Sequence, residues 1–254
     1  MYGLCLLTGI FAAVLIGEQL SKRRGLDTQE YWRAVFFTLL CGLVGARLYH
    51  VIHRFAYFSQ RPWEVIAWWQ GGLGIWGAVL GGLLGLFWAT RKSGRFLAFA
   101  DIFAVGAPLA QGIGRWGNYF NKELFGFPSN LPWSIYIPRD LRPAAFSYYD
   151  RFHPLFLYES LLDLMLFVLL YKLFNRRQAN SEGIIVLWYL IGYSTIRFSL
   201  EFLRPNPWRI FGFPVSGIFS LAVCVMSIVL LARGRRGYDS PDIPKSPAHP
   251  GEYI

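Results

Sequence analysis

The sequence predicts an all-α integral membrane protein built as a bundle of seven transmembrane helices, and three observations predict it. Hydrophobic residues make up 54% of the 254 and charged residues only 16%, with a mean hydropathy of +0.35. A soluble domain of this size holds less apolar content. The apolar residues stand in long runs, not at short helical or strand spacing. Seven of those runs reach about 20 residues, the length a helix needs to cross about 30 Å of hydrocarbon.

The first run, residues 2–20, starts directly after Met1 with no basic region before it, and Lys22, Arg23 and Arg24 follow it. It therefore reads as a membrane span, not a cleavable leader. The second covers 32–53. The third, 72–90, is the shortest and richest in glycine, and Gly77, Gly81 and Gly85 repeat at four-residue spacing, which predicts close helix packing. Runs at 97–116, 154–174, 183–203 and 213–232 complete the set.

Three basic residues follow every odd run: the Lys22 group, then Arg91, Lys92 and Arg95, then Lys172, Arg176 and Arg177, then Arg233, Arg235 and Arg236. The alternate loops are longer and mix basic residues with prolines, aromatics and acids. The positive-inside rule then places the N-terminus outside and the C-terminus in the cytoplasm. The long outer loop, 117–153, carries Pro128, Pro132, Pro138 and Pro143 with Trp133, Tyr136, Tyr148 and Tyr149. Prolines break any continuous helix there, and the aromatics suit a cap at the interface. Residues 1–236 form the membrane domain, and 237–254, with four prolines, read as a disordered cytoplasmic tail.

The formal net charge of +10 would suggest nucleic acid in a soluble chain. Here the basic residues cluster at the ends of apolar runs, which points to topology control and anionic lipid. No basic groove with interleaved aromatics marks a nucleic-acid surface. Cys5, Cys41 and Cys224 lie inside apolar runs, at spacings that match no metal or redox motif. His50 and His53 stand i, i+3 without an evident third ligand, so no metal is expected.

Charges inside the runs are informative because each costs roughly 2.5–3.5 kcal/mol on insertion scales. Arg47 lies late in the second run, Arg115 closes the fourth, Glu159 opens the fifth, and Arg197 and Glu201 lie within the sixth, which Arg204 ends. With alternating direction, Tyr2, Arg47, Arg115, Glu159, Arg197 and Glu201 all fall in the outer half of the bilayer. Arg197, Glu201 and Arg204 share one helix face. Taken alone, Arg197 and Glu201 read as a self-neutralising helix pair. Counted with Arg115 and Arg47, positive charge is in excess, and such a chamber favours a phosphate, which guanidinium matches bidentately. Asp101 and Glu18, at inner ends, read as capping or solvated groups. Asp163 reads as a structural hydrogen-bond partner.

Residues 114–126 read GRWGNYFNKELFG. This resembles the signature G-R-x-G-N-[FY]-x-N-x-E-x-x-G of the prolipoprotein diacylglyceryl transferases. Three further stretches resemble the same family: MYG at the start, HPLFLYE at 153–159, and IGYSTIRFSLEFLR at 191–204. The resemblance covers nearly all of the chain except the tail. It implies a seven-helix bundle in the bacterial inner membrane, with a periplasmic-side head and arms. It also implies transfer of the diacylglyceryl group of phosphatidylglycerol to the lipobox cysteine of a prolipoprotein, releasing glycerol 1-phosphate, with no cofactor. Carried onto this sequence, Arg115 and Arg197 would hold the phosphate. Asn118 and Asn121 would bond lipid oxygens or fix the turn after Arg115. Glu123, Glu159 and Glu201 would orient the arginines, or one would take the thiol proton. Gly126 would admit close backbone approach, Tyr2, Tyr158 and Tyr193 would offer hydroxyls, and His153 and Arg204 complete the matched motifs.

The chain departs from the pattern at Trp76, where many members of the family carry a histidine favoured as the base. A free thiol has a pKa of about 8.5 and needs activation. Either the arginines lower the thiol pKa, which the basic surplus favours, or His50, His53, His153 or a glutamate serves. Two rival functions make different predictions. An anionic-solute transporter predicts charges throughout the membrane depth and an internal repeat, and neither is evident. A non-catalytic lipid-binding protein accounts for the arginines but not for the full motif set.

Overall fold

The computed structural model describes residues 1–176, 182–205, 209–210 and 213–238. Seven long helices carry it: α1 (Tyr2–Arg23), α2 (Thr28–His53), α3 (Ile75–Thr90), α4 (Phe96–Gly114), α5 (Leu155–Arg176), α6 (Ile184–Glu201) and α7 (Val215–Tyr238). Each lies on one of the seven apolar runs, with ends shifted by up to six residues. The chain is thus an all-α membrane protein. α1, α2, α4 with its continuation to Phe120, α6 and Val215–Arg233 of α7 are long and apolar enough to cross a bilayer. α3 is apolar but has only 16 residues, and α5 carries Glu159, Asp163 and Lys172. From residue 239 the tail lies outside the described residues.

The helices divide into two packed groups, for reasons visible in their small residues. α2 lies most extensively against α3. A Cβ on Gly77, Gly81 or Gly85 would collide with the backbone carbonyls of Gly45, Cys41 or Phe37, so the glycine stripe permits near backbone contact. The second group is built around α4, which packs on α1, α5 and α6. Gly9 fits against Ala110 of α4, and Gly106 of α4 against Ala13. Phe99, Ile102 and Val105 join Leu170, Phe174 and Ile185 in its core. Large apolar side chains such as Phe11, Phe36, Leu84 and Leu221 point outward, as a lipid-facing surface requires.

One end of the bundle is closed by polar contacts between helix ends. Asp27 caps α2 through the Gln29 and Glu30 amides. Glu30 meets Arg33 and Arg95, and Arg23 Nη1 donates to Asn175 Oδ1 at 3.0 Å. Asp101 of α4 accepts from the Gly183 and Val186 amides at 2.8 and 2.9 Å. It therefore caps α6 from another helix, bearing out its reading as a capping group. Lys22, Arg23 and Arg24 at the end of α1, Arg91, Lys92 and Arg95 between α3 and α4, and Lys172 and Arg176 in the last turns of α5 gather at this end, while Arg177 lies outside the described residues.

At the opposite end, residues 121–153 form a small head. A two-residue strand β1 (Ile135–Tyr136) pairs antiparallel with β2 (Arg151–Phe152). Arg142 ties the loop between them by donating from Nε to the Ile137 carbonyl at 2.8 Å and from Nη1 to that of Ser147 at 3.1 Å. A second short pair, β3 (Arg209–Ile210) with β4 (Phe213–Pro214), precedes α7. These pairs are the local exceptions to an all-helical reading.

Candidate functional site

At the head end, three arginines and two glutamates alternate in a ladder. Arg115 stands between α4 and a one-turn helix, Trp116–Phe120. Its Nη2 meets Glu159 Oε1 of α5 at 2.5 Å. The same oxygen lies 3.5 Å from Arg197 Nη1 of α6. Arg197 Nη2 reaches Glu201 Oε2 at 3.5 Å, and Arg204 Nη1 lies 3.7 Å from that oxygen. Only the pairs along α6 were legible from i, i+4 and i, i+7 spacing. Glu159 as the rung joining Arg115 to Arg197 comes from packing three helices.

The ladder holds three guanidinium charges against two carboxylates, a difference of one positive charge. The carboxylates are the buried partners, at 1% side-chain exposure each, while the Arg115, Arg197 and Arg204 side chains keep 24, 16 and 35%. The site thus shows cations to an incoming ligand and hides the anions that hold them. Arg204, beyond the end of α6, feels the surplus: burial first and the Arg197 guanidinium next push its pKa below the usual arginine value, against the opposing pull of Glu201. An anion settling here would relieve that repulsion.

Polar atoms remain unpaired around the ladder. Among the described residues, Arg115 Nε, Glu159 Oε2, Glu201 Oε1 and Gln111 Oε1 are buried without a hydrogen-bond partner, and such atoms in a native structure call for an explanation. Gln111 Nε2 donates to the Tyr189 hydroxyl at 2.9 Å, and Tyr189 stacks on Tyr193. Tyr193, Tyr2 and Asp163 are electrostatic neighbours of Arg115. Asp163 is fully buried, and neither of its oxygens has a partner among the described residues. This corrects its reading as a structural hydrogen-bond partner, because its cationic neighbours Arg115 and Arg197 are turned toward Glu159.

The segment after Arg115 is organised by Glu123. Its two carboxylate oxygens accept from the Asn118 and Asn121 amides at 3.4 and 3.5 Å, and its own amide donates to the Asn118 carbonyl at 2.9 Å. Lys122 and Leu124 on either side hold φ of +54°, a region L side chains rarely occupy. Of Glu123, Glu159 and Glu201, the last two touch arginines, whereas Glu123 holds the turn. Tyr2 packs its ring on Gly117, where a Cβ would come within 2.6 Å.

Above the ladder, Gly126 lies between His153 and Leu203, and a Cβ there would meet both within 2.9 Å. Trp133 Nε1 donates to the Tyr158 hydroxyl at 2.8 Å, and His153 Nδ1 lies 3.1 Å from the same oxygen. Trp133 had no signal in the sequence beyond belonging to an aromatic loop. Gln111, a polar residue one turn before Arg115 in an apolar run, offered one that went unread.

Arg47 does not join this group. It lies in the α2–α3 half, where Nε donates to the Val65 carbonyl at 2.8 Å and Nη1 to those of Gly71 and Gly72 at 2.6 and 3.3 Å, while Nη2 donates to the Glu64 carbonyl. It borders a chamber of about 340 Å³ with His50, Arg54, Tyr57 and Glu64. Trp76 packs edge-on against Phe219 of α7.

A family model described as prolipoprotein diacylglyceryl transferase matches residues 1–233. Proteins named phosphatidylglycerol–prolipoprotein diacylglyceryl transferase are similar along most of their length. The one from Thermotoga petrophila is 39% identical over 206 residues, 80% of this chain and 70% of its own. That from Trichormus variabilis is 37% identical over 252 residues, 97% and 89%. That from Cutibacterium acnes is 38% identical over 260 residues, 98% and 86%.

Proposed function

The chain belongs to the prolipoprotein diacylglyceryl transferase family, and on that premise we propose how its outer-end residues divide the work. The activity is transfer of the diacylglyceryl group of phosphatidylglycerol to a prolipoprotein. In our reading the acceptor is the lipobox cysteine beside the signal peptide. Its sulfur attacks the glycerol carbon that bears the phosphate, a C–S bond forms, the C–O bond breaks, and glycerol 1-phosphate leaves.

The single observation that carries this reading is the ladder's surplus cation. Arg115 and Arg197, anchored from behind by Glu159, present their remaining N–H groups to the phosphate. As the C–O bond breaks, charge grows on the phosphate oxygens, and fixed guanidinium groups stabilise it without reorganising. Arg204 adds charge at the α6 end. Asn118 and Asn121, held by Glu123, keep Arg115's turn in place. Tyr2 and Tyr193 line the same site. An apolar groove of about 300 Å³, lined by Leu4, Cys5, Ile113, Trp116 and Leu164, lies beside Arg115 and suits an acyl chain.

We place all seven helices across the bacterial inner membrane, N-terminus out, with residues 1–236 as the catalytic unit and the ladder in the outer leaflet. The gathering of basic clusters at the end opposite the ladder supports that orientation. Purified protein given phosphatidylglycerol and a lipobox peptide should add a diacylglyceryl mass to the peptide cysteine. Release of glycerol phosphate with an unmodified peptide would overturn the reading in favour of lipid hydrolysis.

A further inference from the structure

We propose that Tyr158 and His153 form the relay that removes the lipobox thiol's proton. The inference rests on the transferase reading above. It starts from hydrogen-bond direction. The Trp133 indole N–H can only donate, so at 2.8 Å it occupies a lone pair of the Tyr158 oxygen. His153 Nδ1 lies 3.1 Å from that oxygen, and the relay uses the tautomer in which the Tyr158 O–H donates to it. In that tautomer the imidazole carries its hydrogen on Nε2, and the Nδ1 lone pair accepts. The hydroxyl is thereby held with a second proton acceptor already in line.

The backbone ties both residues to the ladder. Tyr158 directly precedes Glu159, the rung shared by Arg115 and Arg197. His153 is stitched to the other end of the ladder. Its amide donates to the Phe127 carbonyl at 3.1 Å, its carbonyl accepts from Gly126, and Phe127 donates to Leu203, the residue before Arg204. Among the described residues, the titratable group in contact with the imidazole is Tyr158. His50 and His53 serve elsewhere: His50 packs on Phe58 and His53 stacks on Tyr49, both in the Arg47 half. Among the described histidines, His153 is the one beside the ladder.

In the step, the thiol proton passes to the Tyr158 oxygen as the Tyr158 proton passes to His153 Nδ1. The sulfur electron pair forms the C–S bond, and the C–O pair departs with glycerol phosphate. The imidazolium then returns its proton to the outer aqueous phase.

The test is the pH dependence of kcat/KM for thioether formation by full-length protein in phosphatidylglycerol micelles. Wild type should level off below about pH 8.5, where an unaided thiol would still be gaining thiolate. His153→Gln and Tyr158→Phe should lose on the order of 10²–10⁴-fold at pH 7, as a general base does. Both should then climb by up to about 30-fold as pH passes about 8.5, the gain open to a thiol that ionises unaided. His53→Gln should match wild type. Variants within threefold of wild type at pH 7, or a loss of the same size at pH 9 as at pH 7, would overturn the relay. If both variants fail to fold, the wild-type curve decides: a continuous rise to about pH 8.5 means no such base acts. Wild type that forms no thioether at any pH defeats the transferase reading itself, an outcome distinct from these.

Discussion

Arg47 and Arg115 lie near the same end of the bundle, on α2 and at the end of α4, and the protein holds them in opposite ways. Arg47 spends its donors on four backbone carbonyls between Glu64 and Gly72. Among the described residues no carboxylate pairs with it, but little of its hydrogen-bonding capacity is left for a ligand. Arg115 has one strong partner, Glu159, an Nε with none among the described residues, and a second arginine across the same oxygen. A guanidinium saturated by main chain works as a splint for a loop. One anchored through a single rung keeps an open face. The two arginines carry the same charge and differ in their acceptors, main-chain carbonyls for Arg47 and a carboxylate for Arg115.

The largest effect expected from this contrast is on chemistry. Arg115→Ala and Arg197→Ala should each lower transfer by about 10²–10³-fold, the usual loss when one fixed donor to a developing oxyanion is removed. Both proteins should still enter the membrane, because the helices are held by apolar packing and not by the ladder. Activity assayed beside membrane retention checks this, and either variant within tenfold of wild type would break the comparison.

Arg47→Ala should do the reverse. Four carbonyls lose their donors, and each one shielded from water costs about 1–3 kcal/mol. The thermal midpoint in detergent should fall and the 62–72 segment should become open to proteolysis, while transfer by the remaining folded protein stays within tenfold. A variant that melts normally yet transfers at 1% of wild type would place Arg47 with the phosphate ligands.

The membrane class, the seven helices and most of the ladder were legible in the sequence for physical reasons. Lipid demands long apolar runs, so charges within them stand out, and Arg115, Glu159, Arg197 and Glu201 stood out in that way. The separation of Arg47 was not legible. Shared depth places residues at one height but says nothing of their bearing around the bundle. That bearing was set by the Gly77, Gly81 and Gly85 stripe, which commits α3 to α2. The glycines were read correctly as packing residues, but periodicity does not name the helix they face. Glu123's grip on Asn118 and Asn121 depends on left-handed backbone at Lys122 and Leu124, positions where non-glycine residues give no warning.

The smallest expected effect concerns Asp163, one turn below the ladder. Its carboxylate is wholly buried, four residues along α5 from Glu159, and neither oxygen accepts a hydrogen bond from a described residue. A buried charge without donors is costly, and the adjacent Glu159 repels it. Arg115 and Arg197 attract it, but both already lean on Glu159. Asp163→Asn keeps the shape and removes the charge. If the ladder proper does the phosphate binding, transfer should stay within about threefold. Relief of about 1 kcal/mol would raise the thermal midpoint by roughly 2–4 °C for a chain of this size. A fall in both midpoint and transfer would mean that the arginines need a third counter-charge. The ladder would then extend inward to Asp163, with charges balanced before lipid arrives and no surplus cation to attract it.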